Sequence, residues 1–118
     1  MYGIPNDLDL SLFVGATLVQ IGLGQFDLQF HFHPDGSVSI QGHWELIDAE
    51  ERIIDFAIEN AERDAYRIHV LLGQVVVGSQ LNPPDSFSLS FANGFKMKVF
   101  DNSKEYETIS IQPGNIYI

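Results

Sequence analysis

The sequence predicts an α+β fold that is predominantly antiparallel β, with two internally duplicated halves that carry short helices. The halves are expected to share one core as a sandwich or a partly closed barrel. Apolar and polar residues alternate along short segments that end in turn residues, and the order of these segments repeats along the chain. The 118 residues are predicted to form a single domain, 1–118, because a half of about 58 residues would bury too little apolar surface alone.

The repeat is predicted to cover residues 6–56 and 64–118, approximately. The matched segments are LSLFVGATLVQ (10–20) with IHVLLGQVVVG (68–78), FDLQF (26–30) with FSLSF (87–91), and HWELI (43–47) with EYETI (105–109). The turns PDG and ANG occur in the same order, and small insertions fall where loops are expected. This agreement favours a true duplication, and the alternative is that β-rich halves resemble each other through a shared pattern alone.

Each half is predicted to begin with a short helix that ends at a glycine, Gly15 or Gly73. Glycine is typical just after a helix C-terminus because it adopts positive φ without steric cost. Strands are predicted to follow near residues 16–22 and 74–81, where apolar β-branched residues recur.

Polar residues near the start of each helix are candidate N-terminal caps. Asn6 or Asp7 is expected to cap the first helix after Pro5, and Asp64 is expected to cap the second. The second helix can begin as early as Ile58, because apolar residues recur there at helical spacing.

The first hairpin is predicted to turn through a three-residue loop, Pro34–Asp35–Gly36. This loop pairs Phe32 with Val38 and Phe30 with Ile40, so that apolar side chains share one face. The second hairpin is predicted to turn in the same way, through Ala92–Asn93–Gly94. Its predicted pairs are Phe91 with Phe95, Leu89 with Met97, and Phe87 with Val99.

Two large aromatic residues, Phe26 and Trp44, are predicted to pack together on the apolar face of the first hairpin and to belong to the core. Both are in phase with the other apolar residues of their strands.

The opposite face of the first hairpin carries the candidate binding residues. They are Asp27, Gln29, His31, His33, Gln41 and His43. The predicted register places Asp27 opposite His43. His31 and His33 could supply two metal ligands, but a zinc site takes three or four, so no metal site is predicted. The histidines are expected to face solvent or an interface, with a pH-sensitive contact as the alternative.

No catalytic constellation is recognisable, so the protein is predicted not to be an enzyme and to hold no cofactor. The chain has no cysteine, no GxSxG elbow and no glycine-rich phosphate loop. The acidic cluster of Asp48, Glu50 and Glu51 is interpreted as a solvated turn between strands that end at Ile47 and begin near Arg52.

The charge of the chain is strongly negative and unevenly distributed. The formal net charge is −10, and residues 1–51 contain eight acidic residues and no Lys or Arg. Such a field repels phosphate backbones, so nucleic-acid binding is not expected, and it attracts a basic protein partner. The alternative is that acidity serves solubility alone.

The expected location is the cytoplasm, without a membrane partner. The start of the chain does not read as a signal peptide, and no apolar run approaches the roughly 18 residues of a membrane span. The lack of cysteine fits a reducing compartment.

Three segments resemble a family of small bacterial proteins of uncharacterised function. They are YGIPNDLDLSLFVG, RIHVLLGQVVVG, and the ending that contains FSLSF and VFDNSKEYETISIQPGNIYI. The resemblance covers most of the chain and carries no catalytic motif. Small acidic bacterial proteins of this kind include immunity proteins, which bind and block a cognate toxin. This analogy is one of class and not of matched residues.

The leading hypothesis is therefore a non-enzymatic acidic protein that binds a basic partner, as an immunity-type inhibitor does. A first alternative is a small-molecule- or metal-binding enzyme with its site between the two halves. A second alternative is a homodimeric structural subunit joined through an exposed sheet edge, so the expected state is a monomer or a homodimer.

Overall fold

The computed structural model describes residues 3–57, 67–101, 108–114 and 116–118, which contain ten strands and two one-turn 3₁₀ helices. The elements are η1 Ser11–Phe13, β1 Thr17–Leu23, β2 Leu28–His33, β3 Ser37–Ile40, β4 Trp44–Ile47, β5 Ile53–Ala57, η2 Ile68–Leu71, β6 Val76–Asn82, β7 Ser86–Phe91, β8 Lys96–Phe100, β9 Ile109–Gln112 and β10 Ile116–Tyr117. The predominance of antiparallel β-structure is confirmed.

The described strands form two five-stranded sheets in which neighbouring strands are antiparallel. The first sheet has the order β1-β2-β3-β9-β10 and the second has the order β5-β4-β8-β7-β6. The two strand orders are equivalent when β1 is matched with β6, β2 with β7, and so on to β5 with β10. The order β1-β2-β3-β9-β10 then becomes β6-β7-β8-β4-β5, which is the second sheet read from its other edge. Each sheet therefore takes three strands from one half of the chain and two from the other half.

The register predicted for the second hairpin is confirmed, and that of the first is displaced by two residues. Leu89 lies opposite Met97 as expected. In the first hairpin, however, Phe30 lies opposite Val38 and not Ile40. Side chains alternate with a period of two, so a two-residue displacement keeps every apolar residue on the same face. The apolar pattern alone therefore fits both registers.

Gly36 lies at the close of the first turn and packs directly beneath an aromatic ring. Its φ is +105°, and its carbonyl accepts a hydrogen bond from the N–H of Phe32 at 2.9 Å. A Cβ at this position would lie 2.8 Å from Cε1 of Phe13. The turn therefore needs glycine both for its backbone conformation and for this close approach.

The predicted helices are single 3₁₀ turns, and they do not start at the predicted caps. Their N-terminal flanking residues are Leu10 and Arg67, neither of which makes a side-chain capping bond. The carboxylate of Asp9 instead accepts the N–H of Ser11 at 2.9 Å. The predicted earlier start of the second helix at Ile58, with its Asp64 cap, lies outside the described residues.

The inward side chains of both sheets belong to one cluster of buried apolar residues, which includes Trp44, Phe13 and Leu18, each fully buried. The prediction that Phe26 joins this core is wrong, because its side chain is 61% exposed. Phe26 precedes β2 and lies in the turn that the Gly24 N–H closes on the Asp27 carbonyl at 2.9 Å. The alternation of the strand therefore does not reach it.

The edge strands β1 and β6 are joined at their N-terminal ends by a reciprocal set of hydrogen bonds. The N–H of Gly15 donates to Val76 and that of Gly73 donates to Leu18, both at 2.8 Å. The N–H of Leu18 donates to Gln74 at 3.0 Å, and that of Val76 donates to Ala16 at 2.9 Å. The isolated bridge between Thr17 and Val75 lies at the centre of this set. The pattern is unchanged when the two segments are exchanged, so the junction has a local twofold axis.

Gly36→Ala is expected to destabilise the protein more than Gly15→Ala. Both glycines have positive φ, which costs an L-residue about 1–2 kcal/mol. A Cβ on Gly15 meets no atom within 4 Å, whereas one on Gly36 overlaps the Phe13 ring, and overpacking adds about 1–3 kcal/mol. Urea denaturation of both variants measures the difference, and equal losses of unfolding free energy would contradict the close approach.

Candidate functional site

The outward side of the first sheet is a polar surface without Lys or Arg on its strands. Its side chains alternate with buried residues such as Leu28, Phe30 and Val38. We call this surface the first-sheet face. It consists of Asp27 together with Gln20, Gln29, His31, Ser37, Ser39, Ser110, Gln112 and Tyr117.

Three of the predicted residues form a connected network along β2. The Gln29 Nε2 donates to the Asp27 Oδ2 at 2.7 Å, and the Ser39 hydroxyl lies 3.4 Å from the same oxygen. The Gln29 Oε1 then faces the His31 Nε2 at 3.3 Å. Because the Gln29 oxygen can only accept, this contact is a hydrogen bond when the His31 Nε2 carries a proton. The network holds a carboxylate and an imidazole in fixed positions on the face.

A glycine that the sequence pattern does not single out makes room for the carboxylate of Asp27. A Cβ on Gly24 would overlap Oδ1 of Asp27. The Gly24 N–H also closes the turn onto the Asp27 carbonyl. Glycine at 24 therefore lets Asp27 fold back beside its own turn, close to Gln29 and Ser39.

The other three predicted residues lie apart from this network. His33 is exposed at the end of β2 opposite Thr17, and Gln41 is exposed after β3, with its N–H donated to Thr108 at 2.8 Å. His43 leads into β4 of the second sheet, where its ring stacks on Phe100 with centroids 4.2 Å apart. The predicted pairing of Asp27 with His43 is therefore wrong, because the chain passes from one sheet to the other between β3 and β4.

Among the described residues, no group of three or more His, Cys, Asp or Glu side chains is arranged to hold a metal ion. His31 and His33 share a strand face by alternation. In the network around His31, Gln29 provides one amide and Asp27 provides the single carboxylate that could act as a metal ligand.

A groove with a volume of about 330 Å³ lies on the outward side of the second sheet. The polar residues that line it are Gln80, Asn82, Ser86, Ser88, Lys96 and Lys98, together with Glu51. Sequence reasoning missed this groove because its residues come from β6, β7 and β8 and from the turn after β4. Ammonium, hydroxyl and amide donors in this arrangement can bind a carboxylate or phosphate group.

The two lysines of the groove differ in their surroundings. Lys96 Nζ lies 3.8 Å from Glu51 Oε2. Lys98 Nζ lies 5.1 Å from the centroid of the Phe100 ring and forms no ion pair with a described residue. The hydroxyl oxygen of Ser86 is buried and has no hydrogen-bond partner in the described part of the chain. Of these groups, the partly exposed ammonium of Lys98 is available to a ligand.

The turn beside the groove is built around Asp48, which is buried and not solvated as predicted. Its Oδ1 accepts the N–H groups of Glu50 and Arg52, each at 2.9 Å, and its Oδ2 accepts Arg52 Nε at 3.1 Å. The hydrogen bond from the Arg52 N–H holds the pKa of the Asp48 carboxyl below its usual value, and the Arg52 charge acts in the same direction. This carboxylate organises the turn that carries Glu51.

Comparisons of the chain with protein-family models, curated proteins and solved structures each gave no match. None of the helices in the described ranges has the length and apolar character needed to cross a membrane.

Asp48→Asn is expected to lower the melting temperature at pH 7, whereas Glu50→Gln, in the same turn but exposed, changes it little. The folded pKa of Asp48 is below the unfolded value of 3.8, so its stabilisation is complete above that pH. It is lost as the pH falls through the folded pKa. Thermal melts from pH 7 to pH 2 should therefore show the wild-type advantage shrinking below pH 3.8. An advantage of constant size over this range would contradict the role of the ionised carboxylate.

Proposed function

We propose that this protein is a non-enzymatic binding protein that engages a basic protein partner through the first-sheet face. The observation that carries the proposal is the carboxylate of Asp27, which Gln29 and Ser39 hold in place on a surface whose strands contain no Lys or Arg. A fixed carboxylate flanked by hydroxyl and amide groups suits a Lys or Arg side chain of a partner.

The distribution of charge supports the same partner chemistry. Arg52 is paired with Asp48 and Glu50, and Lys96 is paired with Glu51. The carboxylates of Asp27 and Asp35, in contrast, form no ion pair with a described residue. In a chain of net charge −10, these groups add to a field that accelerates association with a basic surface. An immunity-type inhibitor of a basic toxin is the most concrete form of this proposal.

The proposed architecture is an internally duplicated β-sandwich in which the halves exchange two strands. Its support is the equivalent strand order of the two sheets, the reciprocal hydrogen bonds at the β1–β6 junction, and the single buried cluster that both sheets share. Superposition of β1–β5 on β6–β10 in an experimental structure tests it, and a mismatch of the strand paths would overturn it. A cytoplasmic location is part of the proposal and is supported by the absence of cysteine.

Capture of partners from a lysate of the source cells on immobilised protein tests the binding proposal. We expect a basic protein to be retained at low salt and released at moderate salt, because exposed charge pairs are screened. Asp27→Asn should reduce retention several-fold. Asp85→Asn is the matched control, because Asp85 is exposed on the turn between β6 and β7 of the second sheet and the substitution changes the net charge equally.

Two results would contradict the role of the first-sheet face. Equal losses of retention in the two variants would mean that net charge alone attracts the partner. Retention that does not change with salt would mean that charge is not the basis of binding.

A second candidate function is the binding of a small carboxylate- or phosphate-bearing ligand in the second-sheet groove. The ammonium of Lys98, which forms no ion pair with a described residue, favours it, as do the hydroxyl and amide groups that line the groove. The sequence predicted a small-molecule site between the two halves as an alternative, whereas this groove lies on the outward side of the second sheet.

Calorimetric titration with inorganic phosphate and with acetate tests the groove. Lys98→Gln should weaken binding at least roughly tenfold, because a hydrogen bond to a charged group contributes about 1.5–3 kcal/mol. Arg67→Gln is the matched control, since it removes one positive charge from an exposed residue outside the groove lining and outside the turn that carries Glu51. Absence of saturable binding, or equal weakening in both variants, would overturn this candidate.

A further inference from the structure

A set of exposed aliphatic side chains surrounds the junction between β1 and β6. They occur as equivalent pairs about its local twofold axis, with Val75 near the centre. The pairs are Leu12 with Val70, Val14 with Leu72, and Val19 with Val77, and their exposed fractions run from 36% to 57%. We call this surface the junction face.

The backbone at the junction turns these side chains outward. Ala16, Leu18 and Val76 are buried, so the alternate residues Thr17 and Val75 point away from the core. Register shifts between Leu18 and Gln20 and between Val76 and Gly78 expose the intervening residues, Val19 and Val77. The same irregularities disrupt β1 and β6 as templates for edge-to-edge pairing. A partner of this surface therefore packs against side chains and does not extend a sheet.

The junction face is free of charged residues. Neither segment that builds it, 10–20 or 68–78, contains Asp, Glu, Lys or Arg. A basic partner would find no carboxylate on this face. Two copies of a chain with net charge −10 repel each other when acidic surfaces meet, and this face lets them approach without opposing carboxylates from these segments. The charge pattern therefore favours a second copy of the chain as the occupant.

The symmetry of the face fits the same occupant. An isologous dimer uses the same patch on both subunits, so each contact occurs twice. Because the face already carries a local twofold axis, pairs such as Val19 and Val77 present similar apolar surfaces on either side of it. A second copy can then cover the entire face with equivalent contacts.

We propose that the junction face is the interface of a homodimer in which two copies pack face to face. This interface lies on the β1–β6 junction, whereas the network of Asp27, Gln29 and His31 lies along β2. The inference does not rest on the proposed function.

Sedimentation equilibrium over a concentration series tests the dimer. The wild-type protein is expected to approach twice its chain mass of 13.2 kDa as concentration rises. Val77→Lys should raise the dimer Kd at least tenfold, because the interface would bury an unpaired ammonium. Ile53→Lys is the matched control: Ile53 is 54% exposed on β5, the opposite edge strand of the same sheet. Its Kd should equal that of the wild type.

Val77→Thr provides a variant of nearly unchanged shape in case the lysine perturbs folding, which circular dichroism would reveal. It should weaken the dimer less than Val77→Lys does, and an unchanged Kd would overturn the proposal. Added salt should not weaken the dimer, since its contacts are apolar and screening reduces the repulsion between copies. This response is opposite to that expected for the basic partner.

A wild-type protein that stays monomeric up to about 1 mM overturns the proposal. A dimer that Val77→Lys leaves intact, or that both lysine variants weaken equally, also overturns it. None of these results bears on capture of a basic partner by the first-sheet face, so the two proposals fail separately.

Discussion

Four hydrogen bonds between segments 15–18 and 73–76 connect the edge strand of one sheet to the edge strand of the other. Edge strands otherwise present unpaired N–H and C=O groups, so this pairing satisfies backbone groups that would be exposed. It also fixes which side chains point inward, and places Leu18 and Val76 in the common core. As a consequence, the alternate residues Thr17 and Val75 point outward. The buried cluster and the junction face are therefore two results of one backbone arrangement.

The alternation of apolar residues was sufficient to predict most strands, their buried faces and the register of the second hairpin. It failed at the first hairpin because a period of two cannot distinguish registers that differ by two residues. The glycines of PDG and ANG suggest that Gly36 and Gly94 are equivalent. In the structure the carbonyl that accepts from Phe32 belongs to Gly36, whereas the one that accepts from Phe91 belongs to Phe95. Contact with the Phe13 ring, which is distant in sequence, accompanies this difference.

The part of the candidate site that lies on a single strand could be predicted from the sequence. Asp27, Gln29 and His31 alternate on one extended segment, so their common face follows from strand geometry alone. His43 could not be placed, because the change of sheet before Trp44 is a tertiary feature. The second-sheet groove was missed for the same reason, since β8 lies between β4 and β7 and brings Lys96 beside the turn that holds Glu51. Asp48 was interpreted as solvated because its hydrogen bonds to the backbone cannot be recognised from its charge.

The three surfaces described in this protein differ in chemistry: a polar face whose strands carry no Lys or Arg, a groove with two lysines, and an apolar junction. The β1–β6 pairing connects the two sheets that carry these surfaces. Backbone amide hydrogen exchange, measured by NMR, tests this pairing most directly. The amides of Gly15, Leu18, Gly73 and Val76 should exchange as slowly as those of the interior strands β2 and β7, each of which is paired on both sides. Exchange at the rate of unpaired surface amides, with β2 and β7 still protected, would contradict the account.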